Sequence, residues 1–207
     1  MSDGKLEDIY QKRYETVLSP IAKDLEQHLH DIVRGHPRID RVTARAKSVV
    51  SFMTKAAKVD GENAKYEAPL LQIQDQIAAR IVTFYLSDVE RIQKLVGEYF
   101  GPIEDKRKEP DSPSEFSYEG HHYVLFLPDE ALRSVDRGSA PKVFELQIKT
   151  LFQHAWSEGG HDLIYKSLVP LTREHLRRAA FTAAQAWGAD LIFNELADEL
   201  HGGVTSH

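Results

Sequence analysis

Three features are missing from the sequence, and each absence excludes a class of protein. There is no cysteine, so disulfide bonds, cysteine nucleophiles and thiolate metal sites are excluded. There is no apolar run near the roughly 20 residues that span a bilayer, and residues 1–10 (MSDGKLEDIY) have no apolar signal core. There is no excess of cations, because the net charge is −6, and non-specific binding to nucleic acid is therefore not favoured. These absences predict a cytoplasmic protein without a membrane segment.

The remaining composition is that of an ordinary globular chain. The 207 residues are 42% hydrophobic and 28% charged, which is typical of a folded protein rather than a disordered one. The sequence shows no internal repeat and no clear linker. We therefore predict one domain over residues 1–207, with N-terminal helices in 1–36, a core in 37–168, and C-terminal helices and a tail in 169–207.

Apolar periodicity predicts strands that alternate with helices. The predicted strands are 39–47, 75–85, 103–106, 121–127 and 142–150, and the predicted helices are 5–34, 48–58, 87–100, 151–166 and 171–200. We expect Ser48 and Ser87 to cap helices, and Gly188 to interrupt the last one. This order favours an α/β (α+β) fold, in which one mixed sheet of about five strands is flanked by helices and further helices lie at both ends.

A cluster of cations lies where the first predicted strand meets a helix. Arg45 and Lys47 are two residues apart, so both project from one face of the strand. Ser51 and Lys55 are four apart on the next helix and share a face beside its N-terminus, which attracts anions. Three cations that converge there would suit a triphosphate. A solvated basic face is the alternative.

Two acidic residues accompany predicted strands. Asp75 lies at the start of one apolar strand, five residues before Arg80. It could be a helix-end cap or a ligand of Mg²⁺, which takes only one or two protein carboxylates and completes its shell with water and phosphates. Glu145, Gln147 and Lys149 alternate with apolar residues, so they share one face of their strand. That face is either a polar site or an exposed sheet surface.

Histidines follow the last predicted strand. His154, His161 and Tyr165 lie seven and four residues apart and share a stripe of the predicted helix, for which histidines satisfied in the core are the usual explanation. The His161-Asp162 pair could belong to a metal hydrolase, but such a site needs further His and Asp ligands that the sequence does not offer.

The order of these clusters is more specific than any one of them. It reads Arg45-x-Lys47-x-x-x-Ser51-x-x-x-Lys55, Asp75…Arg80, Tyr118…His122, and Glu145-Leu-Gln147-Ile-Lys149-Thr150…His154-Ala-Trp156…His161…Tyr165-Lys166. Over about residues 42–166 the chain resembles the synthetase domain of the RelA/SpoT family, which implies a nucleotidyltransferase-like fold. Because no hydrolase domain precedes these motifs, the chain looks like a stand-alone small alarmone synthetase.

The resemblance implies a role for each matching residue on the ATP side. Arg45 and Arg80 match the arginines that sandwich the adenine of ATP through their planar guanidinium groups. The residues that match the phosphate-holding groups are Lys47, Ser51 and Lys55. Asp75 and Glu145 match the acids that position Mg²⁺, and Glu145 also matches the group that draws the proton from the acceptor 3′-hydroxyl.

The acceptor side matches less completely. Tyr118 matches a tyrosine that stacks on guanine, and the other candidate acceptor residues are Lys106, His122, Gln147 and His154. Family members that use GDP or GTP usually carry Gly-Tyr-x-Ser-x-His after a Pro-Lys pair, whereas this chain has Ser117-Tyr118-Glu119-Gly120-His121-His122 and lacks that pair.

Three functions therefore remain open at the level of sequence. The leading one transfers the β,γ-pyrophosphate of ATP to the 3′-hydroxyl of GDP or GTP, makes (p)ppGpp and releases AMP. The second uses the same donor with another acceptor, either an adenine nucleotide or the 3′ end of tRNA, and the net charge does not favour tRNA. The third is a catalytically inactive nucleotide-binding regulator. The resemblance also implies a homo-oligomer, of which a tetramer is one form, built partly from the C-terminal helices. The alternative is that these helices pack on the chain's own sheet.

Overall fold

The secondary structure follows the predicted order. The structure is a computed structural model that describes residues 3–108, 116, 120–165 and 167–202. Its α-helices are α1 (Asp3–Arg13), α2 (Ser19–Ile32), α3 (Val49–Ala56), α4 (Pro69–Gln72), α5 (Leu86–Tyr99), α6 (Leu151–Gly160) and α7 (Arg173–Gly202). Its strands are β1 (Ile39–Ala46), β2 (Val59–Asp60), β3 (Asn63–Ala64), β4 (Ile77–Thr83), β5 (Pro102–Lys108), β6 (Gly120–Phe126) and β7 (Val143–Thr150). Short π-helical turns over Tyr14–Leu18 and His161–Tyr165 continue α1 and α6.

A five-stranded mixed sheet lies at the centre, as the sequence predicts, and its strand order is β1-β4-β7-β6-β5. Strands β4 and β7 run parallel, whereas the other neighbouring pairs are antiparallel. The remaining two strands, β2 and β3, form a small separate hairpin. Since β4 and β7 are parallel, their N-terminal ends meet at the same edge of the sheet.

One face of this sheet forms the hydrophobic core. Phe144, Leu146 and Ile148 alternate along β7 and are fully buried. Helix α2 contacts β1 and β4, and α5 contacts β4 and β7. Their buried residues come every three or four positions and include Ile21, Leu25, Leu29, Val89, Ile92 and Val96. Each fully buried aliphatic side chain stabilises the fold by about 1.5–3 kcal/mol, so this face of the sheet is committed to packing and the opposite face is left for polar residues.

One predicted helix cap is confirmed and the other is wrong. The Ser48 hydroxyl accepts a hydrogen bond from the backbone N–H of Ser51 at 3.3 Å and caps α3. Helix α5 begins at Leu86, one residue before Ser87. There the Asp88 carboxylate accepts the N–H of Tyr85 at 3.3 Å, so Ser87 already lies within the first turn and donates its own N–H to a side chain of α7.

The predicted interruption at Gly188 is also wrong, because α7 is continuous from Arg173 to Gly202. A glycine inside a helix costs only about 1 kcal/mol relative to alanine. Contacts with α5 and α6 offset that cost, since Ala183, Asp190 and Ala197 recur every seven residues and are buried. Within the described part of the chain, no helix combines the length and the apolar character needed to cross a membrane.

Candidate active site

The face of the sheet opposite the core carries the polar residues that the sequence singled out. Strand registers align Arg45, Ala78 and Glu145 in one row across the sheet, and Arg80, Gln147 and His122 in the next row. The residues on this face are Arg41, Thr43 and Arg45 from β1, Ala78, Arg80 and Val82 from β4, Glu145, Gln147 and Lys149 from β7, and His122 and Val124 from β6. The prediction that the two faces of β7 differ in polarity is therefore confirmed.

Two lysines and an aspartate meet at one edge of this face. Asp75 precedes β4, and the backbone N–H of Lys47, just after β1, donates to the carbonyl of Gln76 at 2.8 Å. The Lys47 ammonium lies 3.0 Å from Asp75 Oδ2, and the Lys55 ammonium lies 3.0 Å from Asp75 Oδ1. Lysines that are eight residues apart in sequence thus hold the two oxygens of one carboxylate.

Glu145 shares a cavity with Lys55 and Asp75. A small cavity of about 110 Å³ is lined by Lys55, Asp75, Val124 and Glu145, together with Tyr66, Gln72 and Gln74. The two acids come from parallel neighbours, Asp75 just before β4 and Glu145 near the start of β7, which is why they lie at the same edge. Among the described residues no group of three or more His, Asp and Glu could form an all-protein metal site. Two carboxylates beside a space for phosphate oxygens nevertheless suit Mg²⁺.

The Glu145 carboxylate is oriented by two neighbours on the sheet. Gln147 Nε2 donates to Glu145 Oε1 at 2.7 Å, and His122 Nδ1 lies 3.1 Å from the same oxygen. All three side chains lie on the same face of the sheet, since His122 pairs with Gln147 in register and Gln147 follows Glu145 by two residues. A carboxylate fixed in this way is suited to accept a proton from a group bound in the cavity.

Arg80 lies at the centre of a second set of contacts. Its Nη1 lies 2.7 Å from Glu158 Oε1 and 3.0 Å from His154 Nδ1, and its Nη2 donates to Gln147 Oε1 at 3.4 Å. Burial, and next the charge of Arg80, lower the pKa of His154 below its usual 6.5. At neutral pH the ring is therefore uncharged, and its Nδ1 can accept the hydrogen bond from Arg80.

Glu158 was not predicted from the sequence. Burial raises the pKa of Glu158, but the hydrogen bond and the charge of Arg80 lower it by more, and His154 and Arg45 lower it slightly. The net result is a pKa below its usual 4.5. Glu158 is an exposed residue of α6, separated from Arg80 by 78 positions. No local spacing connects the two residues.

A larger groove opens beside Arg80. It measures about 1120 Å³ and lies between the polar face of the sheet, α6 and α7. Arg45 and Arg80 both line it, as do apolar side chains that include Trp156, Leu163 and Leu176. The pair of arginines and the apolar wall suit a planar aromatic group.

The N-terminal helix braces this edge of the sheet, which the sequence also did not reveal. The Tyr10 hydroxyl donates to the carbonyl of Lys47 at 2.9 Å, and its ring stacks on Phe52 of α3. Burial, and next the charge of Asp75, raise the pKa of Tyr10 well above its usual value, so the phenol remains a donor. Arg13 Nε donates to Gln76 Oε1 at 3.0 Å. Two contacts from α1 thus fix the segments that carry Lys47 and Asp75.

Comparison with known proteins assigns the chain to a family. The family described as "Region found in RelA / SpoT proteins" matches residues 44–169. The chain belongs to the RelA/SpoT family. The GTP pyrophosphokinase YjbM of Bacillus subtilis is 25% identical over 190 residues, which cover 84% of this chain and 85% of that protein.

Solved structures of other proteins share the fold. A GTP pyrophosphokinase family protein from Streptococcus pneumoniae is similar with a TM-score of 0.70 and 22% identity, over 88% of this chain and 90% of that one. The small alarmone synthetase 1 of Bacillus subtilis, solved with its product pppGpp, is similar with a TM-score of 0.69 and 20% identity, over 95% and 99% of the two chains. The mixed five-stranded sheet flanked by helices is therefore the fold of these proteins.

The RelA/SpoT motif residues fall into two neighbouring groups. The structure brings Lys55, Asp75 and Glu145 to the small cavity, with Lys47 in contact with Asp75, and it brings Arg45 and Arg80 to the groove. The Ser51 hydroxyl accepts from Ser48 Oγ at 2.9 Å at the start of α3. Gln147 bridges the two groups, because it contacts both Glu145 and Arg80.

The side chains of two predicted acceptor residues lie outside the described part of the chain. Tyr118 lies outside the described residues. Lys106 pairs with His122 in register, but its side chain lies outside the described part of the chain. His154, predicted on the acceptor side, contacts Arg80 instead. The other two predicted acceptor residues, His122 and Gln147, both contact Glu145.

Proposed function

We propose that this RelA/SpoT protein transfers the β,γ-pyrophosphate of ATP to the 3′-hydroxyl of GDP or GTP, and so makes (p)ppGpp and AMP. The observation that carries this proposal is the convergence of Asp75, Glu145 and Lys55 on one cavity beside the groove that Arg45 and Arg80 line. The names of the relatives, GTP pyrophosphokinase and small alarmone synthetase, agree with this reaction.

The donor half of the site accommodates ATP in one orientation. The adenine stacks between the guanidinium planes of Arg45 and Arg80 in the large groove. The phosphates extend to the cavity, where Lys47 and Lys55 change partners from Asp75 to phosphate oxygens. Ser51, at the N-terminus of α3, adds a hydroxyl and a positive helix end. Asp75 and Glu145 are the residues that would hold Mg²⁺.

The transfer itself follows from this placement. The acceptor 3′-oxygen attacks the β-phosphorus of ATP, the bond from that phosphorus to the α,β-bridging oxygen breaks, and AMP leaves. Glu145 takes the proton of the 3′-hydroxyl, held for this purpose by Gln147 and His122. Mg²⁺ supplies charge neutralisation on the phosphates when it is bound. Positioning and charge are most of what such a transfer requires from a protein.

The acceptor approaches from the β6 side of the sheet. His122 lies against Glu145 there, and Lys106 occupies the neighbouring register position on β5. We place the guanine on Tyr118 and the acceptor phosphates near Lys106, as the family resemblance implies. Both substrates are cytoplasmic nucleotides, and action in the cytoplasm is part of the proposal.

The reaction can be tested with labelled ATP, Mg²⁺ and a panel of acceptors. Wild-type protein should release AMP and form a 3′-pyrophosphorylated product with GDP or GTP. Glu145→Gln should lower kcat by about 10²- to 10⁴-fold, the usual contribution of a positioned general base. Glu90→Gln, an exposed change on α5, is the matched control and should retain full activity. If product forms only with an adenine nucleotide or tRNA, the acceptor is that molecule and not GDP or GTP. Unchanged turnover in Glu145→Gln would refute the assignment of Glu145 as the general base.

A further inference from the structure

Two permanent cations face the same groove. Arg45 and Arg80 come from neighbouring strands and line one wall of the large groove. Guanidinium groups do not lose their charge in proteins, so two of them directed at one flat ligand repel each other. Adenine is neutral and cannot balance that charge. An anion of the protein beside them would offset this repulsion and help both side chains to hold their positions.

Glu158 is placed to be that anion. Its Oε1 lies 2.7 Å from Arg80 Nη1, and the charges of both Arg80 and Arg45 lower the pKa of its carboxyl. It projects from α6, the helix that forms another wall of the same groove. The Glu158 side chain is 56% exposed whereas that of Arg80 is 19% exposed, so the carboxylate reaches the partly buried guanidinium from the solvent side.

The contacts of Arg80 also fix the plane of its guanidinium group. Hydrogen bonds to a guanidinium form in its plane, because all five N–H groups lie in that plane. Glu158 and His154 hold Nη1, and Gln147 holds Nη2. A guanidinium held at its edges keeps both faces available for stacking. Of its three partners, only Glu158 contributes a negative charge.

We propose that Glu158 is a positioning residue for the ATP site, where it balances Arg45 and Arg80 and orients the Arg80 plane for adenine. The inference rests on the proposed use of ATP as donor. Glu158 thus acts in donor binding and not in the transfer step, because its carboxylate contacts Arg80 of the adenine site and lies apart from the cavity of Asp75 and Glu145.

The test compares Glu158→Gln with Glu174→Gln, a control that removes the same charge from the first turn of α7. Binding of α,β-methylene-ATP with Mg²⁺ is measured by calorimetry, and KM and kcat are measured with GDP. Glu158→Gln should weaken analogue binding and raise KM for ATP by about tenfold, a value reduced from that of a buried charged hydrogen bond because Glu158 is exposed. Its kcat at saturating ATP, its KM for GDP and its Tm should stay at wild-type values.

The possible failures are distinguishable. If wild-type protein binds no ATP analogue, the proposed function is wrong and this inference falls with it. If wild-type protein binds the analogue and Glu158→Gln matches Glu174→Gln, only the inference is wrong. Tighter binding by Glu158→Gln, or a loss confined to kcat, would likewise overturn the positioning role while leaving the proposed reaction in place.

Discussion

At the scale of single residues, the most consequential feature is the carboxylate of Asp75 between two ammonium groups. Both lysines lie 3.0 Å from its oxygens, and all three side chains are largely shielded from solvent. These three side chains together carry one positive charge before any ligand arrives, and both Asp75 oxygens are already paired. A free divalent cation must therefore displace a lysine to reach the Asp75 carboxylate, whereas a triphosphate attracts the lysines and uncovers it.

This charge balance predicts how the metal binds. Mg²⁺ alone should leave the Tm unchanged, whereas Mg²⁺ together with α,β-methylene-ATP should raise it by several degrees, because only the nucleotide complex binds the folded state. Asp75→Asn should reduce the rise that depends on Mg²⁺. Thermal unfolding with each ligand separately and with both checks this expectation. A clear rise with millimolar Mg²⁺ alone would show that the lysines do not block the metal.

His154 gives a prediction about pH. Its folded-state pKa is lowered from 6.5 by burial and by Arg80, so the unfolded chain takes up this proton first as the pH falls below 6.5. The free energy of unfolding should therefore fall with decreasing pH over that range. It should fall less steeply in His154→Asn, whose amide oxygen can still accept from Arg80. Urea unfolding of both proteins at about pH 7.5 and pH 5.5 tests this, and parallel profiles would contradict it.

The residues that the sequence could identify are those with a local pattern. Glu145 and Gln147 alternate with apolar neighbours, so their shared face could be read directly from period two. Glu158 offers no such pattern, because it is an ordinary exposed helix residue whose partner is 78 positions away. Tyr10 lies within the predicted helix 5–34, but its hydrogen bond to Lys47 depends on how α1 packs against α3.

At the scale of elements, pairing between distant strands decides the site. The sequence predicts five strands and a mixed sheet, and both are confirmed. It does not predict that β4 and β7 are parallel neighbours, because pairing depends on contacts between segments about 60 residues apart. That one pairing brings Asp75 and Glu145 to the same edge. The sequence predicts caps at both Ser48 and Ser87, but the cap of α5 lies at Tyr85 and involves Asp88, so of these two serines only Ser48 caps its helix.

Thr150 joins three elements and gives a prediction about stability. Its buried hydroxyl accepts from the Gln153 N–H at 3.1 Å to cap α6, and donates to Asp190 of α7 at 2.8 Å. Thr150→Val keeps the shape of the side chain but removes both hydrogen bonds, and should cost about 1–3 kcal/mol. Thr16→Val, which removes an exposed hydroxyl contact, should cost less than about 0.5 kcal/mol. Urea unfolding measures both, and equal effects would contradict the role of Thr150 as a junction.

At the scale of the whole molecule, α7 exposes an apolar surface. The Phe181, Ile192 and Leu196 side chains are exposed, and spacings of eleven and four return to the same face of a helix. The opposite face packs on α5 and α6. The two uses of this helix that the sequence left open, internal packing and assembly, thus fall on different faces, and we propose the exposed face for the homo-oligomer.

Light scattering after size-exclusion chromatography tests this assembly. Wild-type protein should have a mass above that of the 23.5 kDa chain. Phe181→Glu with Ile192→Glu should shift it to smaller species, because buried charge opposes association. Val59→Glu places the same charge on an exposed valine of the β2–β3 hairpin and should leave the mass unchanged. A monomeric wild type, or a shift with Val59→Glu alone, would reject α7 as the interface.

The contacts across the polar face form one continuous row, from Glu158 through Arg80, Gln147 and Glu145 to His122. The Gln147 amide accepts from Arg80 and donates to Glu145, so it cannot rotate toward one of them without weakening its hydrogen bond to the other. Adenine that stacks on Arg80 holds this guanidinium in place, and through Gln147 it steadies the Glu145 carboxylate before the acceptor arrives. We therefore expect a kinetic order in which the donor nucleotide enters before the acceptor.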